Sequence, residues 1–209
     1  MVSVIFYENI KNGVYLMNIT SFILYCFIVT FTPGPTNIVI LSTVHKNGTK
    51  KALECTYGAT IAFGFLLSVS AVLNSILVAF IPKILILMQI IGSIYMLFLA
   101  YQVYKTNKDK PKSMEKQTGT FLSGFLMQFL NPKVLLFTLT VIPTFIMPYH
   151  VSLSKIILYV ITITVIGFLA FITWVLFGAL FKSFLQQHEK MVNVLMALFL
   201  VYSTFMIWM

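Results

Sequence analysis

Two short segments hold the residues whose chemistry stands out in this chain: Thr32-Pro33-Gly34-Pro35-Thr36-Asn37 and Asn131-Pro132-Lys133. Each sits inside a long apolar run. Proline has no N–H, so Pro33 and Pro35 remove two helical donors, and Gly34 adds backbone freedom between them. A helix carrying this segment is expected to break or kink sharply, and Asn131-Pro132 predicts a second break. A broken helix offers unpaired N–H groups at the positive end of a dipole, which suit a carboxylate, and freed carbonyls, which suit an ammonium group. A zwitterion needs both. Thr32, Thr36 and Asn37 add hydroxyl and amide groups at the first break and Asn131 adds an amide at the second; on this reading the amides contact a ligand rather than hold the fold. Lys133 would cost about 2.5–3.5 kcal/mol at a helix centre, so it should face a wet cavity or a partner, where it could attract a carboxylate, or snorkel to the cytoplasmic interface. The candidate binding residues are therefore Thr32, Pro33, Gly34, Pro35, Thr36, Asn37, Asn131, Pro132 and Lys133.

The elements that must position them follow from composition. The chain has 209 residues, 59% hydrophobic and 9% charged, and so little charge cannot cover a water-facing surface of that size. Apolar runs long enough to cross a bilayer, about 20 residues each, occupy positions 19–44, 57–81, 84–104, 120–147, 153–180 and 191–208. Nothing alternates with the period of a barrel strand, and backbone groups in lipid must be satisfied within their own segment, so all six are expected to be helices. The predicted fold is an all-α integral membrane protein with six transmembrane helices, the first and fourth broken at their proline motifs. At 1.5 Å per residue, Pro33 lies roughly 20 Å from the outer end of its span and Asn131 roughly 15 Å from the inner end of its own, which puts both breaks in the central bilayer.

All fourteen basic residues are lysines, and the formal net charge is +9. They sit between the apolar runs and read as topology signals, not as a nucleic-acid footprint. Lys46, Lys50, Lys51, Lys105, Lys108, Lys110, Lys112, Lys116, Lys182 and Lys190 fall on one side. Lys11, Lys83 and Lys155 fall on the other. This asymmetry places both termini outside and the 105–119 segment, KTNKDKPKSMEKQTG, in the cytoplasm as a linker. Residues 1–16 have neither the basic start nor the cleavage site of a signal peptide, and Met17 opens a good start of its own, so they read as a dispensable extension.

The linker divides the chain into repeats at 17–104 and 120–209. Gly64-Phe65-Leu66 with Val72-Leu73 matches Gly167-Phe168-Leu169 with Val175-Leu176, and Leu97-Phe98-Leu99-Ala100-Tyr101 matches Leu198-Phe199-Leu200-Val201-Tyr202. In the same order, Phe31 to Pro35 falls opposite Phe129 to Lys133. Because each unit has an odd number of spans, the second enters the membrane from the opposite side, which gives two inverted three-helix repeats, an arrangement common in secondary transporters.

Other residues narrow the function. None of Glu8, Glu54, Asp109, Glu115 and Glu189 lies deep in a span, so no buried carboxylate relay is evident; Glu54 is expected to pair with a neighbouring lysine. Cys26 and Cys55 read as small buried hydrophobes, and His45, His150 and His188 lie at helix ends without metal-ligand spacing. Gly58, Ala59, Ala62 and Gly64 permit close helix packing. No catalytic set for an intramembrane enzyme appears, and nothing calls for a cofactor. A cation or heavy-metal exporter is the rival reading, weakened by the poor supply of soft ligands.

TPGPTN at 32–37, Gly48, GATIAFGF at 58–65 and QFLNPKVLLF at 128–137 make the chain resemble the LysE/RhtB family of amino-acid exporters across nearly its whole length from Met17. QFLNPK, TFIMP at 144–148 and VNVLMALFLVY at 192–202 look most like the cysteine and O-acetylserine exporters. Thr36 stands where Asn often follows Pro-Gly-Pro, and Ala52 and Ala62 stand where glycine is usual, departures that bear on substrate and helix packing. The resemblance implies six spans, export of amino acids or derivatives across a bacterial-type cytoplasmic membrane, and coupling to the proton-motive force. The partners implied are a small amino-acid substrate and the lipid bilayer, without nucleic acid; a homo-oligomer is compatible with the sequence.

Overall fold

The computed structural model describes residues 19–105, 119–149 and 152–206. The predicted extension at 1–16, most of the linker and His150 lie outside these residues. Among the described residues every regular element is helical. They are α1 (Ile19–Phe31), α2 (Pro35–Asn47), α3 (Thr49–Val72), α4 (Asn74–Tyr104), α5 (Phe121–Leu130), α6 (Pro132–Phe145), a 3-10 turn (Met147–Tyr149), α7 (Leu153–Leu180), α8 (Lys182–Gln187) and α9 (Glu189–Met206).

Both expected breaks are present. The axis bends by 46° between α1 and α2 and by 68° between α5 and α6. Pro35 and Pro132 each open the second half as its first residue, where a missing N–H costs no helical bond. Thr49–Val72 and Leu153–Leu180 are long and apolar enough to cross a membrane in one piece, and each bent pair is so when taken as one span.

Two boundaries differ from the sequence reading. The second span ends at Val72 and the third helix starts at Asn74, so the break is at Leu73 and Lys83 lies inside α4, not in a loop. Asn74 and Ser75 follow Leu73 directly, but two uncharged polar residues between long apolar runs are too brief a mark for hydropathy to register as a turn. The helix of the second span also begins earlier, at Thr49, directly after Gly48, whose φ of 85° ends α2. Lys50, Lys51 and Glu54 are therefore helical: a helix can continue out of the lipid into water, where charge does not end it. Lys51 and Glu54 form the expected ion pair, 2.6 Å apart on adjacent turns. Cys26 and Cys55 are fully buried and free, and His45, in the last turn of α2, is buried as well.

The molecule is apolar outside and more polar within. Along α7, Ile157, Ile161, Val165, Leu169 and Leu176 form an exposed stripe, while Ile163, Gly167, Ala170, Phe171, Val175 and Gly178 face inward. Thr36, Asn37, Thr56, Gln128, Asn131 and Thr138 are all buried. That distribution fits lipid as the surrounding solvent.

Small residues set the helix spacing. A Cβ on Gly58 would lie 1.9 Å from the carbonyl oxygen of Phe121, and one on Gly124 would lie 2.0 Å from that of Cys55, so α3 and α5 touch backbone to backbone. Gly92 of α4 receives the ring of Pro132, 2.7 Å from where its Cβ would be. That contact seats the second break on α4.

Candidate functional site

The two breaks meet. The side-chain amide of Asn131 donates to Thr36 Oγ1 at 2.8 Å, and Thr36 Oγ1 donates to Gln128 Oε1, also at 2.8 Å. Gln128 Nε2 in turn donates to the carbonyl of Ala59 on α3 at 3.1 Å. This chain of bonds ties α2, α5, the α5–α6 break and α3 together, and all three of its side chains are buried.

Each break satisfies its orphaned groups in its own way. At the second, Asn131 Oδ1 accepts from the N–H groups of Lys133 at 3.1 Å and Val134 at 3.4 Å, capping α6. At the first, the N-cap of α2 is Gly34, which has no side chain to do this, so the positive end of α2 is left without a side-chain cap.

The carbonyls at the end of α1 receive side-chain donors. Phe31 would bond to the N–H of residue 35, but that residue is proline; Trp174 Nε1 reaches its oxygen from α7 at 3.3 Å. Asn37 Nδ2 donates to Thr30 O at 3.2 Å and Thr32 O at 3.0 Å. Lys133 Nζ donates to Thr32 O at 2.8 Å, crossing from one break to the other. The lysine stem runs over Gly34: a Cβ there would lie 3.0 Å from Lys133 Cδ and 3.3 Å from its Nζ.

Between the breaks lies a cavity of about 30 Å³, walled by Val29, Thr30, Gly34, Thr36, Asn37 and Asn131 with Lys133, Val134 and the rings of Phe63, Phe137 and Phe171. It is the size of a bound water, not of an amino acid. Asn37 Oδ1 is buried and has no partner, so this wall keeps one acceptor unused.

Of the nine residues expected from sequence, Gly34, Thr36, Asn37, Asn131 and Lys133 line the cavity. Pro33, Pro35 and Pro132 shape the breaks without lining it. The Thr32 hydroxyl turns back to the carbonyl of Ile28, and this residue acts through its own carbonyl. The amides of Asn37 and Asn131 are expected to contact a ligand. Asn131 is instead engaged within the protein through both atoms of its amide and Asn37 through its nitrogen, because the breaks leave backbone groups that they satisfy. Of these atoms, Asn37 Oδ1 keeps its place for a ligand. Lys133 faces the cavity, as expected of a buried lysine, and does not snorkel away: its ammonium turns into the first break and finds a partner in the Thr32 carbonyl.

Sequence reasoning missed Thr30, Gln128, Trp174 and the three phenylalanines. Gln128 had a signal, being a polar residue three positions before Asn131 on an apolar helix. The others had none.

Residues 27–207 match the LysE type translocator family. The chain is 28% identical over 184 residues to the cysteine/O-acetylserine efflux proteins of Escherichia coli K12 and Shigella flexneri, covering 88% of this chain and 94% of each relative. No solved structure matches it. The match to the family spans both helix breaks and the whole cavity: the chain is a multi-pass membrane transporter that belongs to the LysE type translocator family.

Proposed function

We propose that this protein exports cysteine, O-acetylserine or a similarly small amino acid such as threonine or homoserine, driven by the proton-motive force, through the cavity between its two helix breaks. The names of the relatives point to that substrate class. The observation that carries the reading is the placement of both poles of a helix break on one small cavity. The uncapped N-terminus of α2 suits a carboxylate, while the Thr30 and Thr32 carbonyls and the unused Asn37 Oδ1 suit an ammonium group. Phe63, Phe137 and Phe171 leave room for a short side chain only, and the small volume means that the halves must part to admit substrate.

The six spans work as two inverted repeats in this proposal. In support, α3 packs on both halves of the second broken span, and α7 packs on both halves of the first. The partners α3 and α7 cross each other, as α4 and α9 do, so exchanging the two repeats preserves this pattern. Gly64 and Gly167, matched in the repeat, both lie at the α3–α7 crossing, against Thr164 and Phe63. On this proposal the lysine asymmetry puts both termini outside, with ten lysines against Lys11 and Lys155 once Lys83 is set aside as a residue within α4.

Purified protein in inverted vesicles, offered labelled cysteine, O-acetylserine, threonine, homoserine and divalent metals under a proton gradient, tests the function. Uptake of amino acids without metals is expected. Metal uptake alone would establish the rival.

A further inference from the structure

We infer that Lys133 couples export to proton entry, because its ammonium and the ammonium of the substrate compete for one carbonyl oxygen, that of Thr32. The inference rests on the amino-acid reading above and adds the coupling to it. A carbonyl oxygen has two lone pairs. Thr32 O already accepts from Asn37 Nδ2 at 3.0 Å and Lys133 Nζ at 2.8 Å, so no third donor can bind it while Lys133 stays. The cavity is small, about 30 Å³, and Lys133 lines it, so a second ammonium in it would sit against the first and be repelled.

An ammonium that binds Thr32 O must therefore displace the lysine, while Thr30 O and Asn37 Oδ1 beside it take the substrate's remaining donors. A displaced ammonium would find no anionic side chain in this wall, and the carboxylate of the substrate is held, on the reading above, by the N–H groups at the start of α2. Around Lys133 the cavity is faced by Val29 and Thr30 of α1, Thr36 and Asn37 of α2, Phe63 of α3, Val134 and Phe137 of α6 and Phe171 of α7, none of which titrates. Among the described residues, no titratable side chain of these elements other than Lys133 is in the wall. Tyr25 stacks on Phe137 and Phe145, and Cys26 is packed in the core with Phe22. On α4, Gly92 meets the opposite flank of the break, against Pro132. A buried cation without an acceptor is costly, so Lys133 leaves the carbonyl as the neutral amine and its proton passes to cytoplasmic water.

The cycle then balances. The loaded carrier, with a zwitterion and a neutral lysine, moves outward. Outside, the amino acid leaves, Lys133 takes a proton from external water, and the ammonium closes again on Thr32 O. The return carries one proton and one positive charge inward for each amino acid exported.

Full-length protein in detergent, titrated with reduced L-cysteine in weak buffer, should release up to one proton per cysteine bound. Its affinity for cysteine should weaken as pH falls, by up to about tenfold per pH unit. Lys133→Met, which cannot be protonated, should bind cysteine with an affinity independent of pH and lose gradient-driven accumulation in proteoliposomes. Lys133→Arg keeps its charge at every accessible pH and should bind weakly throughout. Wild-type binding without proton release and without pH dependence overturns the coupling, even where a variant fails to fold. So does gradient-driven accumulation that survives in Lys133→Met. A wild-type protein that binds and moves no amino acid removes the export reading itself, and this inference with it.

Discussion

Thr36 on the first helix break and Asn131 on the second are joined by a hydrogen bond of 2.8 Å, so the two halves of the chain meet through side chains 95 residues apart. Thr36→Val keeps the shape but removes both bonds of the hydroxyl, leaving buried Gln128 Oε1 and Asn131 Nδ2 without this partner. The expected cost is about 1–3 kcal/mol. It should appear as a lower melting temperature in detergent together with weaker transport, and Thr36→Ser should restore both. A Val variant as stable as wild type would show that the bond contributes nothing.

Asn131→Ala should destabilise as well as impair transport, since Asn131 caps α6 through two N–H groups. Losing the cap costs about 0.5–2 kcal/mol. Asn131→Ser can cap the helix but is too short to reach Thr36, so it should recover part of the stability and less of the transport. Thermal unfolding and uptake, measured on the same preparation, separate the two effects.

The breaks were legible in the sequence because a missing N–H is a local property of proline, and the ends of α7 were legible because Leu153–Leu180 lies between Ser152 and Lys182, with only Phe181 intervening. What filled the breaks was not legible. Trp174 lies 143 residues from Phe31, and no spacing rule connects them. The same holds for Lys133, whose place on the chain gave a buried charge but not the carbonyl that receives it. The turn at Leu73 escaped notice for the opposite reason: it lies between apolar helices, and Asn74-Ser75, the polar pair that follows it, is too short to interrupt the hydropathy of the run.

Gly58→Ala and Gly124→Ala should abolish most folded protein. In each case the new methyl would meet a backbone carbonyl, 1.9 Å away for Gly58 and 2.0 Å for Gly124, and only parting α3 from α5 could relieve it. Gly64→Ala is the control. Its methyl would come 3.2 Å from the side chain of Thr164, which can shift by a few tenths of an ångström. The height of the monodisperse peak in size-exclusion chromatography should fall sharply for the first two and little for the third. Equal yields would mean that the α3–α5 crossing is wider than described.

Gly34→Ala distinguishes a glycine needed for backbone freedom from one needed for space. The φ of −153° and ψ of 177° at Gly34 describe extended backbone that alanine adopts without strain. The new methyl would instead press on the Lys133 side chain, 3.0 Å from Cδ and 3.3 Å from Nζ. The lysine must then leave its rotamer or its bond to Thr32 O, at a cost of about 0.5–1.5 kcal/mol. The melting temperature should therefore fall slightly, far less than for Gly58→Ala, while transport falls severalfold because the lysine no longer reaches its carbonyl. A variant with wild-type transport would show that the approach of Lys133 to Gly34 is incidental. One that unfolds like Gly58→Ala would show that Gly34 serves the break through its conformation and not through the space it leaves.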